Sequence, residues 1–264
     1  MSKSGILDYR NCGYSIMPLG VLTMSPMTAS TERPSLSSPS SLSATPRTTP
    51  SRKHQHFATD RGALYDVLDA ALLCHVGLVL DGSPVVLPTA YGREGDTLYL
   101  HGSTGSANIR AAAEGAQLCV AVSILDGIVY ARSLNDHSMT YRSAVIHGRA
   151  TLVTGDERKI RALRVLSEHL SPGSWDYART PNRRELAATH VLAIDLGEAS
   201  VKIRAGHPPV GDADRDATTT WAGLLPVHTT FGSPVTADYV PADVAVPEHV
   251  SARVTGRTVR PPSR

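Results

Sequence analysis

The sequence has little with which to build a disulfide framework or a thiolate metal site. Its three cysteines, Cys12, Cys74 and Cys119, are odd in number, widely spaced, and form no CxxC pair. That usage fits a reducing cytoplasm, and the apolar neighbours of Cys74 and Cys119 mark both as small buried hydrophobes. No apolar run approaches the ~20 residues that a bilayer requires. Asp8, Arg10 and Asn11 interrupt the stretch before Met17, so a secretory h-region is lacking as well. A cytoplasmic protein without a membrane span is expected. Charge of one sign is also missing: the formal net charge is +2 with the signs interspersed, too weak a field to argue for nucleic acid or a membrane surface. Neither GxGxxG after a strand nor GxxxxGK[ST] occurs, and HExxH and GxSxG are absent. A bound nucleotide would therefore need a scaffold other than the common α/β ones.

What is present is ample for a core, with 41% hydrophobic residues in 264. Residues 25–50 are dominated by Ser, Thr and Pro, whose burial could not offset the backbone entropy lost on folding. Residues 1–54 are accordingly expected to form a disordered tail. A folded domain spans 55–205, an extension at 206–240 packs on it or on a partner, and 241–264, rich in Pro, Val and Arg, is a mobile tail.

Within the domain, Leu64, Val67, Leu68, Ala71 and Leu72 recur at helical spacing behind Thr59 and Asp60. Short β segments follow. Cys74–Leu80 and Val85–Tyr91 flank an Asp81-Gly82 turn and read as a hairpin; 92–96 is a turn and Thr97–His101 a third strand. A short helix over Ser106–Ala113 has Ser106 as its N-cap. Gln117–Leu125 and Ile128–Ser133 read as a second hairpin around Asp126-Gly127, and Met139–Thr154 as a long strand broken near Gly148. Asp156–Leu170 is helical with Ile160, Leu163, Leu166 and Leu170 on one face; a short helix near Arg183–Thr189 precedes strands Val191–Leu196 and Ser200–Arg204. Many short strands with few helices predict a mainly β, antiparallel barrel with peripheral helices.

The stretch His101-Gly102-Ser103-Thr104-Gly105-Ser106 carries the clearest chemical signal, because a strand there ends in glycines and hydroxyls just before a helix. Such a loop can cradle a phosphate through hydroxyls and unpaired N–H groups, and Arg110 could add a charge-assisted bond. Glycine and serine also build ordinary loops, so the pattern alone is weak.

Three blocks together say more. Pro84 to Tyr91, Asp96 to Ser103 and Tyr141 to Ala150 resemble, in order, the pyridoxamine 5′-phosphate oxidase-like family, and most closely its nitroimidazole-reductase-like branch of flavin-nucleotide-binding proteins. The resemblance covers about 55–205. It implies a Greek-key-like split β-barrel that binds FMN in a groove of a homodimer. It places Pro88, Thr89 and Ala90 along the flavin ring, His101, Gly102, Ser103 and Ser106 around the phosphate, and Tyr141, Arg142 and Ser143 on the long strand. The family commonly carries a cation near position 107 or 108, where this chain has Ala107 and Asn108, so Arg110 would have to substitute. Strand alternation puts Tyr141 and Ser143 on one face and Arg142 on the other, so the three cannot all touch one ligand without a bulge. A reduced flavin also needs positive potential near its N1 and O2, for which Arg132, Arg142 or the partner subunit are candidates. The resemblance further allows Trp221 to cover the flavin of the neighbouring subunit.

His75, His101, His137 and His147 could in principle ligate a metal or haem, but no compact cluster forms and no metal site is expected. Only His101, beside the phosphate loop, is expected at a cofactor. The resemblance implies an FMN-dependent oxidoreductase passing electrons from NAD(P)H to a small nitro or quinone acceptor, without a nominated catalytic residue. A non-catalytic flavin or haem carrier or sensor, or a deazaflavin-dependent reductase, stays open beside it.

Overall fold

The computed structural model describes residues 41–42, 44–50, 56–216 and 219–254. The rest of the expected N-terminal tail, at 1–40, 43 and 51–55, and the last residues, 255–264, lie outside the described residues.

The domain opens with β1 (Phe57–Ala58) and α1 (Arg61–Ala70), then β2 (Cys74–Leu80), β3 (Ser83–Thr89), β4 (Gly92–Glu94) and β5 (Thr97–Ser103). After α2 (Ala107–Ala113) come the long strands β6 (Gln117–Tyr130) and β7 (Ser138–Arg149), and the short β8 (Thr151–Leu152). Helices α3 (Asp156–Leu170), α4 (Ser174–Tyr177) and α5 (Arg183–Ala187) precede β9 (Thr189–Asp195) and β10 (Ala199–Arg204). The C-terminal extension adds β11 (Gly223–Pro226) and α6 (Glu248–Val254).

The strands form two antiparallel sheets. One runs β1-β10-β7-β6-β2-β3, with β11 also on β6; the other runs β4-β5-β9-β8. A single buried residue, Ala150, passes the chain from β7 in the first sheet to β8 in the second. Both sheets turn apolar side chains onto one core. Leu118, Val120 and Val122 alternate inward along β6, facing Leu98 of β5 and Leu192 and Ile194 of β9, while Leu64 and Leu68 of α1 pack into the same cluster. Each such fully buried aliphatic side chain contributes roughly 1.5–3 kcal/mol. The mainly β architecture with peripheral helices is the one expected.

The dipeptide Asp-Gly occurs at two strand junctions with opposite results. Asp81 and Gly82 both take positive φ, 48° and 78°, and join β2 to β3 through the two-residue turn that suits strand twist. Asp126-Gly127, expected as a second hairpin turn, instead lies inside β6, where the register against β7 slips between Leu125 and Gly127. It is a bulge. β6 continues because β7 pairs with it over residues 117–129 on one edge, while on the other β2 pairs with residues 119–121 and β11 with residues 127–130. A side chain at Gly127 would meet Leu224 Cδ1 at 2.8 Å and the Leu225 carbonyl at 3.0 Å, so the glycine serves the close approach of β11.

Other differences are smaller. The turn expected over 92–96 holds β4 and then turns at Gly95 (φ 55°). The long strand breaks at Ala150 and not at Gly148. α3 has the expected bounds, but Ala162 and Leu166 are its buried residues, with Ile160 and Leu170 more than one-third exposed. Ordered structure also exceeds the expected boundaries at both ends. Thr45 and Arg47 hydrogen-bond the carboxylate of Glu198, and α6 buries Ala252.

Candidate functional site

Of the expected site residues, five line one pocket and Arg142 lines another, while Ala90, Ser103, Arg110, Tyr141 and Ser143 line neither. β3, β5 and α2 converge on a pocket of about 310 Å³ that is lined by Pro88, Thr89, His101, Gly102 and Ser106, together with Asn108, Ile109 and the apolar Val76, Leu78, Leu87 and Leu100. β3 ends its sheet, so alternate backbone N–H groups of that strand face away from β2. The pocket thus has an apolar wall, an edge of backbone donors and a polar end.

At the polar end each group has a defined state. His101 reaches the surface at the rim, yet its surroundings desolvate it enough to push its pKa below the usual histidine value, so at neutral pH it offers one N–H and one lone pair. Ser106 occupies the N-cap position of α2 without bonding the helix backbone; its hydroxyl bonds the Asn108 side-chain carbonyl instead. Ser103 Oγ accepts from the Gly105 N–H at 3.2 Å, which leaves its own proton free to donate. Gly102 proves to be needed by packing: an added Cβ would sit 2.7 Å from Ile109 Cγ1, so the glycine lets α2 lie on β5. Ser103, Ala90 and Arg110 do not line this pocket, and Arg110 is exposed on α2.

The β7 residues lie apart from it. Tyr141 and Ser143 share a face, with the Lys202 ammonium 5.7 Å from the Tyr141 ring, and Arg142 faces the other way. Arg142 is clamped by Asp126, the bulged residue of β6, through Nε (3.0 Å) and Nη2 (2.8 Å). That pair borders a second, larger cavity of about 570 Å³ between the end of α1, the bulge of β6, the segment 227–231 and α6. Arg132 is occupied elsewhere, donating to the carbonyls of Asp214 and Arg215 at 2.8 and 2.6 Å. Trp221 is exposed, its ring 5.9 Å from that of Tyr130.

Sequence reasoning missed this second cavity. Its walls come from stretches far apart in the chain, and no local pattern marks Asp126, His228 or Arg253 as neighbours.

Two packed antiparallel sheets with a pocket at the β3–β5–α2 junction define a split-barrel protein, and the sequence model of the pyridoxamine 5′-phosphate oxidase family matches residues 60–203. The chain belongs to that family. Among solved structures, the FAD and haem binding protein from Mycobacterium smegmatis is 42% identical, with a TM-score of 0.72 over 75% of this chain and 97% of its own. The flavocytochrome Anf3 from Azotobacter vinelandii is 33% identical, with a TM-score of 0.74 over 82% of this chain and 98% of its own. No curated protein matches.

Proposed function

We propose that the chain is a flavin-binding redox protein that takes electrons from a reduced nicotinamide and hands them to a small acceptor of the nitro or quinone class. The observation that carries this reading is the 310 Å³ pocket, which draws Pro88, Thr89, His101, Gly102 and Ser106 together from three elements. Its size falls in the ~300–1,000 Å³ range of small-molecule sites. The residues fit a flavin nucleotide. Leu87, Leu100 and the edge of β3 suit a flat heteroaromatic ring, and His101, Ser106 and Asn108 suit its phosphorylated end. A flavin supplies one- or two-electron exchange; the protein supplies position and hydrogen bonds. The 42% identical relative is a FAD binder, which favours FAD over the FMN that the sequence resemblance implied. A homodimer accords with Val79 and Val86, 62% and 65% exposed on the outer hairpin of the larger sheet.

The test is the colour of the purified full-length protein. The bands of oxidised flavin should be present, bleach on adding NADH or NADPH, and yield FAD after acid release. Protein that is colourless and takes up neither FAD nor FMN at micromolar concentration overturns the reading. Flavin that stays oxidised with both donors removes the nicotinamide step and leaves a carrier.

A second cofactor is favoured by the second cavity. One relative above is a FAD and haem binding protein and the other a flavocytochrome, and the 570 Å³ space offers apolar walls, an imidazole and guanidinium groups. On this reading the chain holds haem beside flavin, and haem extends the path for single electrons.

A further inference from the structure

We propose that the 570 Å³ cavity beneath the segment 227–231 is the haem site and that His228 is the iron ligand, an assignment that rests on the reading that the chain holds haem at all. Haem asks for three things of a protein: apolar surface for the macrocycle, an imidazole or thiolate for iron, and cations or donors for two carboxylates. The cavity has all three. Leu73, Ile124 and Phe231 line it, and of these Leu73 and Phe231 are nearly half exposed, which is apolar surface awaiting cover. The smaller pocket also has an apolar wall, but at about 310 Å³ against 570 Å³ it has little more than half the room.

The imidazoles can be sorted by what they already do. His169 Nε2 donates to the Ala71 carbonyl at 2.8 Å, His137 Nδ1 lies 3.1 Å from the Ser133 carbonyl, and the His249 ring packs on Tyr177. His101 belongs to the smaller pocket. His228 is the histidine among the residues lining the larger cavity, is exposed, and makes no hydrogen bond or ion pair among the described residues. Both of its ring nitrogens are therefore open to a ligand.

The cations differ in availability. Arg142 is neutralised by Asp126. Arg253 has no carboxylate partner among the described ion pairs: it donates to the Leu170 carbonyl at 2.6 Å and lies 4.0 Å from the centre of the Phe231 ring. An uncompensated guanidinium stacked on an aromatic wall suits a propionate at the cavity rim. The C-terminal segment that brings His228 and Arg253 together lies beyond residue 203, where the family match ends.

The experiment is haemin titration of the purified full-length protein, with flavin content measured in parallel. Wild-type protein should give the Soret and visible bands of imidazole-ligated haem at about one haem per chain. His228→Ala should lose that signature or weaken affinity by about tenfold or more, and Leu73→Trp, at an exposed wall position, should weaken uptake by filling the space. Both variants should keep wild-type flavin content, which shows that the fold is intact. Wild-type protein that takes up no haem overturns the haem reading and this site with it. Wild-type protein that binds haem while both variants bind it unchanged, or haem that displaces flavin one for one, overturns the site and leaves the haem reading standing.

Discussion

Arg142 is held in a two-point clasp by Asp126, a residue that β6 bulges out of its ladder. Because Asp126 has left the ladder against β7, its side chain can lean over that strand and meet the guanidinium. The clasp sets the direction of Arg142 at the mouth of the larger cavity.

Both side chains are about one-third exposed, 37% and 35%, so water screens the pair. Asp126→Ala should therefore cost less than about 1 kcal/mol in urea unfolding, and a double-mutant cycle with Arg142→Ala should return a coupling of the same size. A loss above about 3 kcal/mol would show that the pair itself holds the bulge.

The two Asp-Gly junctions should respond differently to alanine. Gly82→Ala meets no neighbour and is penalised only through its positive φ, roughly 1–2 kcal/mol. Gly127→Ala drives a methyl group into Leu224 and the Leu225 carbonyl, and should free β11 from β6. Hydrogen exchange at Leu224 and Leu225 should rise in Gly127→Ala and stay unchanged in Gly82→Ala.

Tyr91 is fully buried between α1 and α3, and its hydroxyl donates to the carbonyls of Leu68 and Ala71 at the end of α1. His169 of α3 stacks near it, with ring centres 4.7 Å apart, and donates to the same Ala71 carbonyl. Tyr91→Phe keeps the ring but strips a donor from these carbonyls, so it should destabilise by about 1–3 kcal/mol, measured by denaturant midpoint.

His101 gives a pH signature. Burial lowers its folded-state pKa below the usual value, so just beneath that value the unfolded chain binds more protons than the folded one. Stability should be lost as pH falls from the usual histidine range toward the folded pKa, and be fully present above it. His101→Gln should flatten that slope between about pH 7 and pH 5 when urea midpoints are compared. A slope equal to that of the wild type would show that His101 is not its source.

Much of the molecule was legible locally. The bounds of α3 and of β2 follow from periodicity and flanking turn residues, and His101, Gly102 and Ser106 were readable together because β5 leads straight into α2. Pro88 and Thr89 joined them through the family resemblance and not through any spacing rule. Helices α4 and α6 and strand β11 escaped because each is only a few residues long and takes its stability from what it packs on. The extension after residue 205 reads as polar loop, and nothing in it announces that β11 pairs with β6.

The sequence by itself determined the turn at Asp81-Gly82, the span of α3 and the cluster around His101, since turn chemistry and helical period act between near neighbours. Only the tertiary structure decided that a second Asp-Gly becomes a bulge, that Arg142 answers to Asp126, and that His228 and Arg253 share a cavity with the end of α1. The physical reason is the same in each case. A backbone segment with partners on both edges stays a strand whatever its local turn preference, and groups distant along the chain become neighbours only once the sheets have closed on their common core.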